Sequence, residues 1–183
     1  MPAARHSVGL KTGQTDLWLL FSMRFLYLRP SSKDGAHDAW TILSLLVKGF
    51  RKAWSDAQII FRGDSGFCRH KMLEWCDRQG VFYIVGIPRN QRLVKLLAPT
   101  LDKAQQAFNA SQEKQREFTD FMYSAGSWKR ERRIIGKAEV TLQGTNPRFI
   151  FTNLEGENQH LYDHMYCARD NMENRIKEVQ LDL

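Results

Sequence analysis

Cysteine is scarce in this 183-residue sequence, as are long hydrophobic runs, internal repeats and tracts of low complexity. The three cysteines, Cys68, Cys76 and Cys167, are too few and too scattered for a disulfide framework and suit a reducing compartment. The longest apolar stretch, residues 17–28, is interrupted by Ser22 and Arg24 and falls short of the roughly 20 residues of a membrane helix. No small-residue cleavage site follows it, so it does not read as a secretory signal, and the expected location is the cytoplasm, with no membrane partner. The lack of repeats excludes a solenoid, and the lack of biased tracts leaves no segment to set aside as a linker.

What the chain has in excess is positive charge. Its 27 Lys and Arg against 20 Asp and Glu give a net charge of +7 and a pI near 9.5, which favours a polyanionic partner. The length suits one domain with a real core. Residues 1–24 read as a leader, because Pro2, Gly9, Thr12, Gly13 and Thr15 break any periodicity. A strand over residues 25–28 is stopped by Pro30. A helix follows, with Ala36, Ala39, Trp40, Leu43, Leu46, Val47 and Phe50 repeating at three and four residues, and with Lys48, Arg51 and Lys52 near its negative end. Residues 57–61 predict a strand buried on both faces, residues 67–79 a helix stopped by Gly80, and residues 81–87 a second buried strand closed by Pro88. Strand, helix, strand is a βαβ unit with a right-handed crossover. Residues 90–110 are helical in pattern, with Pro99 expected to kink or split the helix. Residues 117–123, 132–142 and 148–152 read as strands of a β-rich lobe or sheet extension, and residues 157–183 as a helix with an apolar stripe through Leu161, Met165, Ala168, Met172, Ile176 and Val179.

Several constellations carry chemistry. Asp64 ends the apolar run Ile59-Ile60-Phe61-Arg62-Gly63, at the carboxyl end of a strand, where α/β sheets gather ligand groups; equally, it could cap the helix that follows. Gly63-Asp64-Ser65-Gly66 imitates a serine-protease motif, but the helical periods around it exclude the two-barrel fold that motif needs. In the last helix, at about 100° per residue, Tyr166, Arg169 and Glu173 fall within a roughly 60° sector of one face, about 100° from the apolar stripe. The plainer reading of that face is an Arg169–Glu173 ion pair in solvent, and Asp163 and Asp170 point in similar directions. His160 and His164 have i,i+4 spacing with Cys167 nearby, a weak zinc pattern. Trp128, Lys129, Arg130, Arg132 and Arg133, with Lys137, form a basic cluster suited either to gripping phosphates and stacking on a base or to guarding a sheet edge.

Three segments together resemble a known family. Phe61-Arg62-Gly63-Asp64-Ser65-Gly66-Phe67, Tyr83-Ile84-Val85-Gly86, and the run from Tyr166-Cys167-Ala168-Arg169 through Glu173 to Glu178 are similar to the DDE transposases of bacterial insertion sequences, in the 1380-type group of the Tyr-Arg-Glu-Lys branch. The stretch from Leu28 to Trp40 adds to the likeness, which spans residues 26–183. The resemblance implies an α/β, RNase H-like mixed sheet flanked by helices, with a β-rich insertion at about residues 111–155 before the last helix. It implies that Asp64 and Glu173 are catalytic and metal-binding, the second aspartate and the final glutamate of the triad. They would hold two Mg²⁺ ions, with Mn²⁺ as a substitute, and Tyr166 and Arg169 would place transposon-end DNA. The implied partners are DNA and full-length transposase or a second copy of the chain.

Two departures accompany the likeness. The signature lysine would fall at Gln180, and Lys177, one turn after Glu173, is the nearest substitute cation. The first aspartate belongs on an opening strand, and Asp16 is the only acid before Pro30. The sequence therefore predicts a partial catalytic domain over residues 25–183, truncated at its N-terminal strands and inactive alone. The alternatives are a non-enzymatic DNA-binding or interaction remnant of a transposase, and an unrelated RNase H-like nuclease.

Overall fold

The computed structural model describes residues 39–126 and 128–167, in two compact units that divide between residues 59 and 60. The leader, the expected strand at 25–28, Asp16, Arg169, Glu173, Lys177 and Gln180 lie outside the described residues. In the first unit, helix α1 spans Ala39–Ala53 and carries Arg51 and Lys52 in its last turn, against the negative end of its dipole. Phe50 and Trp54 stack at a tilt at its end, with ring centroids 6.4 Å apart.

The second unit is a mixed sheet flanked by helices, as the sequence suggests. Its strands are β1 (Ile60–Gly63), β2 (Phe82–Gly86), β3 (Gln115–Tyr123), β4 (Arg132–Thr141), the short β5 (Gly144–Thr145) and β6 (Arg148–Thr152), in the order β1-β2-β6-β4-β3 with β5 paired to β4. β1 and β2 are parallel, with Ile60 opposite Phe82 and Gly63 opposite Val85, and the remaining pairs are antiparallel. Helix α2 (His70–Gln79) connects the parallel pair and closes at Gly80, whose φ of 61° is the left-handed conformation glycine adopts without a Cβ clash.

Strand β1 begins at Ile60, because the ladder exists only where β2 stands opposite, and residues 57–59 precede it. Its burial is partial: Ile60, Phe61 and Arg62 are half-buried, since β1 is the edge of the sheet among the described residues. The β-rich block is a sheet extension, since β6 pairs directly with β2. Helix α3 (Gln91–Ser111) runs unbroken through Pro99. Asn90 caps it, accepting from Leu93 N at 2.9 Å, and Leu93, Leu97 and Ala104 are fully buried on either side of the proline. A Cβ on Gly136 of β4 would come within 2.8 Å of Leu97 Cδ1, so the helix seats a leucine where the strand has no side chain. Tertiary packing on both flanks outweighs the lost backbone hydrogen bond.

The sheet's two faces differ in chemistry. On one, α2 and α3 cover Tyr83, Val85, Ile134, Phe149 and Phe151, all nearly inaccessible. Arg132, only 4 % exposed, lies in this layer. Its guanidinium donates to Asp77 Oδ2 at 2.7 Å and to the Tyr83 hydroxyl at 3.1 Å. On the other face, Ile84, Ile135 and Ile150 pack against Leu154, Leu161 and Tyr162. The last two begin a π-helical segment, Leu161–Tyr166, that continues the short helix α4 (Asn158–His160).

A buried charge left without its partner destabilises strongly, whereas an exposed pair contributes little. Asp77→Ala strands the Arg132 guanidinium, and urea unfolding is expected to show a loss of about 3 kcal/mol or more. Asp120→Ala, at the partly exposed Arg133–Asp120 pair, should cost below about 1 kcal/mol in the same measurement. Equal losses would mean that Arg132 is held by packing and not by Asp77.

Candidate functional site

Asp64 leaves β1 in extended backbone, with φ −82° and ψ −174°, and its Oδ1 accepts from Gly66 N at 2.8 Å to cap the short 3₁₀ turn Ser65–Phe67. Asp64 thus caps a 3₁₀ turn and not the helix that the sequence suggested: α2 starts at His70, behind Arg69, which makes no side-chain cap. The cap occurs at the carboxyl end of a strand in a parallel pair, where sheets open into crevices.

Tyr166 reaches the same point from the far end of the chain. A Cβ built on Gly86, the last residue of β2, would lie 2.7 Å from the Tyr166 hydroxyl, 3.0 Å from Ser65 N and 3.4 Å from the Asp64 carbonyl carbon. Cβ atoms essentially never come within 3.0 Å of another non-bonded heavy atom, so a side chain at residue 86 would force the Tyr166 hydroxyl to shift and press on the Asp64–Ser65 backbone. One residue earlier, Met165 O accepts from Arg62 Nη1 at 2.8 Å, a second tie between β1 and the π-helical segment. Tyr166 also stacks on Tyr162 at 5.6 Å, and Tyr162 on Phe118 at 5.5 Å. Tyr166 is therefore half-buried against the core cluster. Its direction does not follow from 3.6-residue arithmetic, because the winding over Leu161–Tyr166 is wider, with Cys167 N–H donating to Tyr162 O.

Beside this junction opens a cleft of about 520 Å³. Ser65, Gly86, Tyr166, Asn146, Arg148 and Tyr162 are among the residues that line it. Burial pushes the Tyr162 hydroxyl's pKa well up, so it stays protonated. Behind Asn146 stands a cluster of ions on β4. Lys137 and Glu139 are each 7 % exposed, and Glu139 meets Lys114 Nζ at 2.9 Å, Lys137 Nζ at 3.1 Å and Asn146 Nδ2 at 3.0 Å. Arg116, 3.6 Å from the same carboxylate, reaches on to Asp163 in the π-helical segment. Burial alone would raise the Glu139 carboxyl, but the hydrogen bonds from Lys114, Lys137 and Asn146 outweigh it and hold the pKa at about 2.

The basic cluster is divided by its partners. Arg132 is buried against Asp77, and Arg130 also pairs with that carboxylate. Arg133 holds Asp120 at 2.9 Å, Leu154 O at 3.0 Å and Asn158 Oδ1 at 2.7 Å. Trp128 is packed edge-on between Tyr123 and Phe151, both at 5.8 Å, with the Arg132 guanidinium over its ring. Lys129 is the most open of the set, its side chain 81 % exposed and 3.5 Å from Glu74. Sequence reasoning passed over Arg89, Asn146 and Arg148, each isolated in the sequence; the pairing of β2 with β6 brings them together.

His160 and His164 stack at 4.9 Å and are exposed, but no group of three His, Cys, Asp or Glu side chains able to hold a metal gathers among the described residues. Asp64 is an oxygen donor of the class that hard divalent cations take, and Glu173, its expected co-ligand, lies outside the described residues. Burial raises the Cys68 and Cys76 thiols to about 11 and about 12, which keeps them protonated and unreactive. No helix among the described residues is long and apolar enough to cross a membrane.

The sequence matches a family profile, Transposase DDE domain group 1, over residues 20–183. The chain belongs to the DDE transposase family. No curated protein and no solved structure matches it. The family suggests transposition as the function and DNA as the substrate.

Two outcomes test this geometry. Gly86→Ala in the transposase chain should cost about 1–3 kcal/mol in denaturant unfolding, because the methyl overlaps the Tyr166 hydroxyl. Adding Tyr166→Phe should recover about half of that loss or more, and strict additivity would show that the two do not touch. For Glu139, the folded pKa of about 2 lies below the ordinary 4.5, so its contribution is present above pH 4.5 and lost as pH falls toward 2. Acid unfolding should remove up to about 3 kcal/mol through this group, and Glu139→Gln should flatten the stability profile in that window.

Proposed function

We propose that this chain contributes the second aspartate, Asp64, and the final glutamate, Glu173, of a phosphoryl-transfer centre in DNA transposition, on an RNase H-like sheet, in the 1380-type group of the family. The observation that carries the reading is the meeting of Tyr166 with the Asp64–Ser65 loop over Gly86, since these are residues of three separate segments of the resemblance. Asp64 and Glu173 would hold divalent metal, Mg²⁺ or Mn²⁺, which when bound activates water or a 3′-hydroxyl for attack on phosphorus and stabilises the leaving oxygen. Tyr166, already braced by Tyr162 and Gly86, positions the end of the DNA beside Asp64. Arg169 and Lys177 supply cations to the same strand, and the fork of Arg169 suits a phosphate. Lys129 and Arg130, with Trp128, give a secondary contact on the α2 face of the sheet.

No residue of this sequence stands in a recognisable opening strand as the first aspartate, so the chain by itself binds DNA but leaves it uncut. In the second reading, DNA binding or contact with intact transposase is all that it does.

Incubation with duplex DNA carrying the element's ends is expected to give salt-sensitive retention without strand cleavage in Mg²⁺ or Mn²⁺. Metal-dependent nicking that disappears in Asp64→Ala would sink the claim of incompleteness. Absence of retention even at low salt would remove the first reading and the DNA-binding form of the second. Retention unchanged by Tyr166→Ala would leave only the remnant.

A further inference from the structure

The cleft beside Asp64 carries two cations that the resemblance does not assign. Arg89 follows β2 by three residues, and Arg148 opens β6. Ile87 N–H donates to Phe149 O at 3.1 Å, so the chain leaving β2 and the chain entering β6 run side by side, and the two arginines emerge from neighbouring strand ends. Each has a proline beside it, Pro88 and Pro147, whose fixed φ of about −65° stiffens the backbone that presents the guanidinium. Both arginines line the cleft and both are exposed. Neither side chain has an ion-pair or hydrogen-bond partner among the described residues, and none of the described residues lining the cleft is an acid.

That contrasts with the basic cluster on β4 and the loop before it, where Glu74, Asp77 and Asp120 take up Lys129, Arg130, Arg132 and Arg133. Two like charges beside one cleft, with no carboxylate among its described lining residues, raise the local potential, and an anion entering there relieves it. Helix α3 adds to the same potential: its positive end starts at Gln91, just after Arg89.

We propose that Arg89 and Arg148 form a phosphodiester clamp, gripping the sugar–phosphate backbone of duplex DNA at the mouth of this cleft and leading the strand past Tyr166 toward Asp64. The clamp rests on the transposase reading above. Guanidinium forks match two phosphate oxygens at once, and the fixed backbone lets them do so with little loss of freedom. Asn146 and Tyr162, which also line the cleft, are neutral donors for the sugar and phosphate oxygens.

Fluorescence anisotropy of a labelled duplex of about 25 base pairs, titrated in EDTA at several salt concentrations, separates the clamp from the chemistry. Each of Arg89→Gln and Arg148→Gln should lower the slope of log affinity against log salt by about one, and the double variant by about two. Arg89→Lys/Arg148→Lys should keep the slope and still weaken binding, because charge remains while the fork is lost. Lys95→Gln/Lys103→Gln on α3 removes the same net charge elsewhere and should leave the slope nearly unchanged. A double arginine variant with wild-type slope and affinity overturns the clamp, as does an equal drop in the lysine pair, which would mean that only net charge is being read. Wild-type protein that binds no duplex at low salt overturns the transposase reading itself. Both arginines are exposed, and matching circular dichroism and melting curves identify variants that remain folded.

Discussion

The second unit of this protein turns on the absence of one methyl group. At Gly86 the hydroxyl of Tyr166, the backbone of Asp64–Ser65 and the end of β2 share the space a Cβ would fill. Everything at the cleft is referred to that contact. It brings the end of the π-helical segment onto the sheet, while Tyr162, one turn earlier, is held by the core cluster and by Phe118. Arg62 reinforces it by binding Met165 O from β1, so an edge strand with only one described neighbour is fastened from above as well as from the side. Close packing of this kind has little slack, because protein interiors have the density of organic crystals and transmit displacement instead of absorbing it.

A second constraint is the sorting of charge between the two faces of β4. Arg132 on one face and Lys137 with Glu139 on the other are all nearly inaccessible, and each is tolerated because partners are built in. Burying an ion costs several kcal/mol unless opposite charge and hydrogen bonds compensate. The acids that meet this need are Asp77, Glu139 and, more openly, Asp120. Once they are committed, the excess of positive charge is left to residues without such partners, Arg89 and Arg148 among them. The net charge is therefore a poor guide to where an anion docks; the distribution of the acids is a better one.

The same sorting explains what could be seen in the sequence. The βαβ unit, the glycine stop at Gly80 and the three later strands were legible, because apolar periodicity and turn residues act locally; the mixed sheet followed only from the family resemblance. Asp64 was legible as the end of a strand; as a cap it was placed on the wrong element, because a 3₁₀ turn intervenes before the helix, which starts behind Arg69. The start of β1 was not legible, since it depends on where β2 stands opposite. Pro99 misled because burial of Leu93, Leu97 and Ala104 holds α3 together across it. The basic run before and within β4 looked like one patch in one dimension, yet strand alternation sends Arg132 and Arg133 to opposite faces, each with its own acid. Arg89 and Arg148 are far apart in sequence and were invisible until β2 and β6 paired. Arg169, Glu173 and Lys177 lie outside the described residues.

Asp64 also shows why a plain structural role and a chemical one need not compete. A carboxylate has two oxygens and about four lone-pair sites, and the bond from Gly66 N engages one oxygen in a fixed direction. Such a bond fixes the plane of the group in the way outer hydrogen bonds orient metal-binding side chains. Under the proposed reading, the cap becomes part of the site's preparation: it sets the carboxylate at the mouth of the crevice before any ion or strand arrives. Glycine at position 66 fits this arrangement, since a Cβ there would lie 3.0 Å from Asp64 Oδ1 and press on the very oxygen that accepts the bond. The two glycines near Asp64 thus protect different things. Gly86 admits the tyrosine, and Gly66 leaves the carboxylate in its orientation.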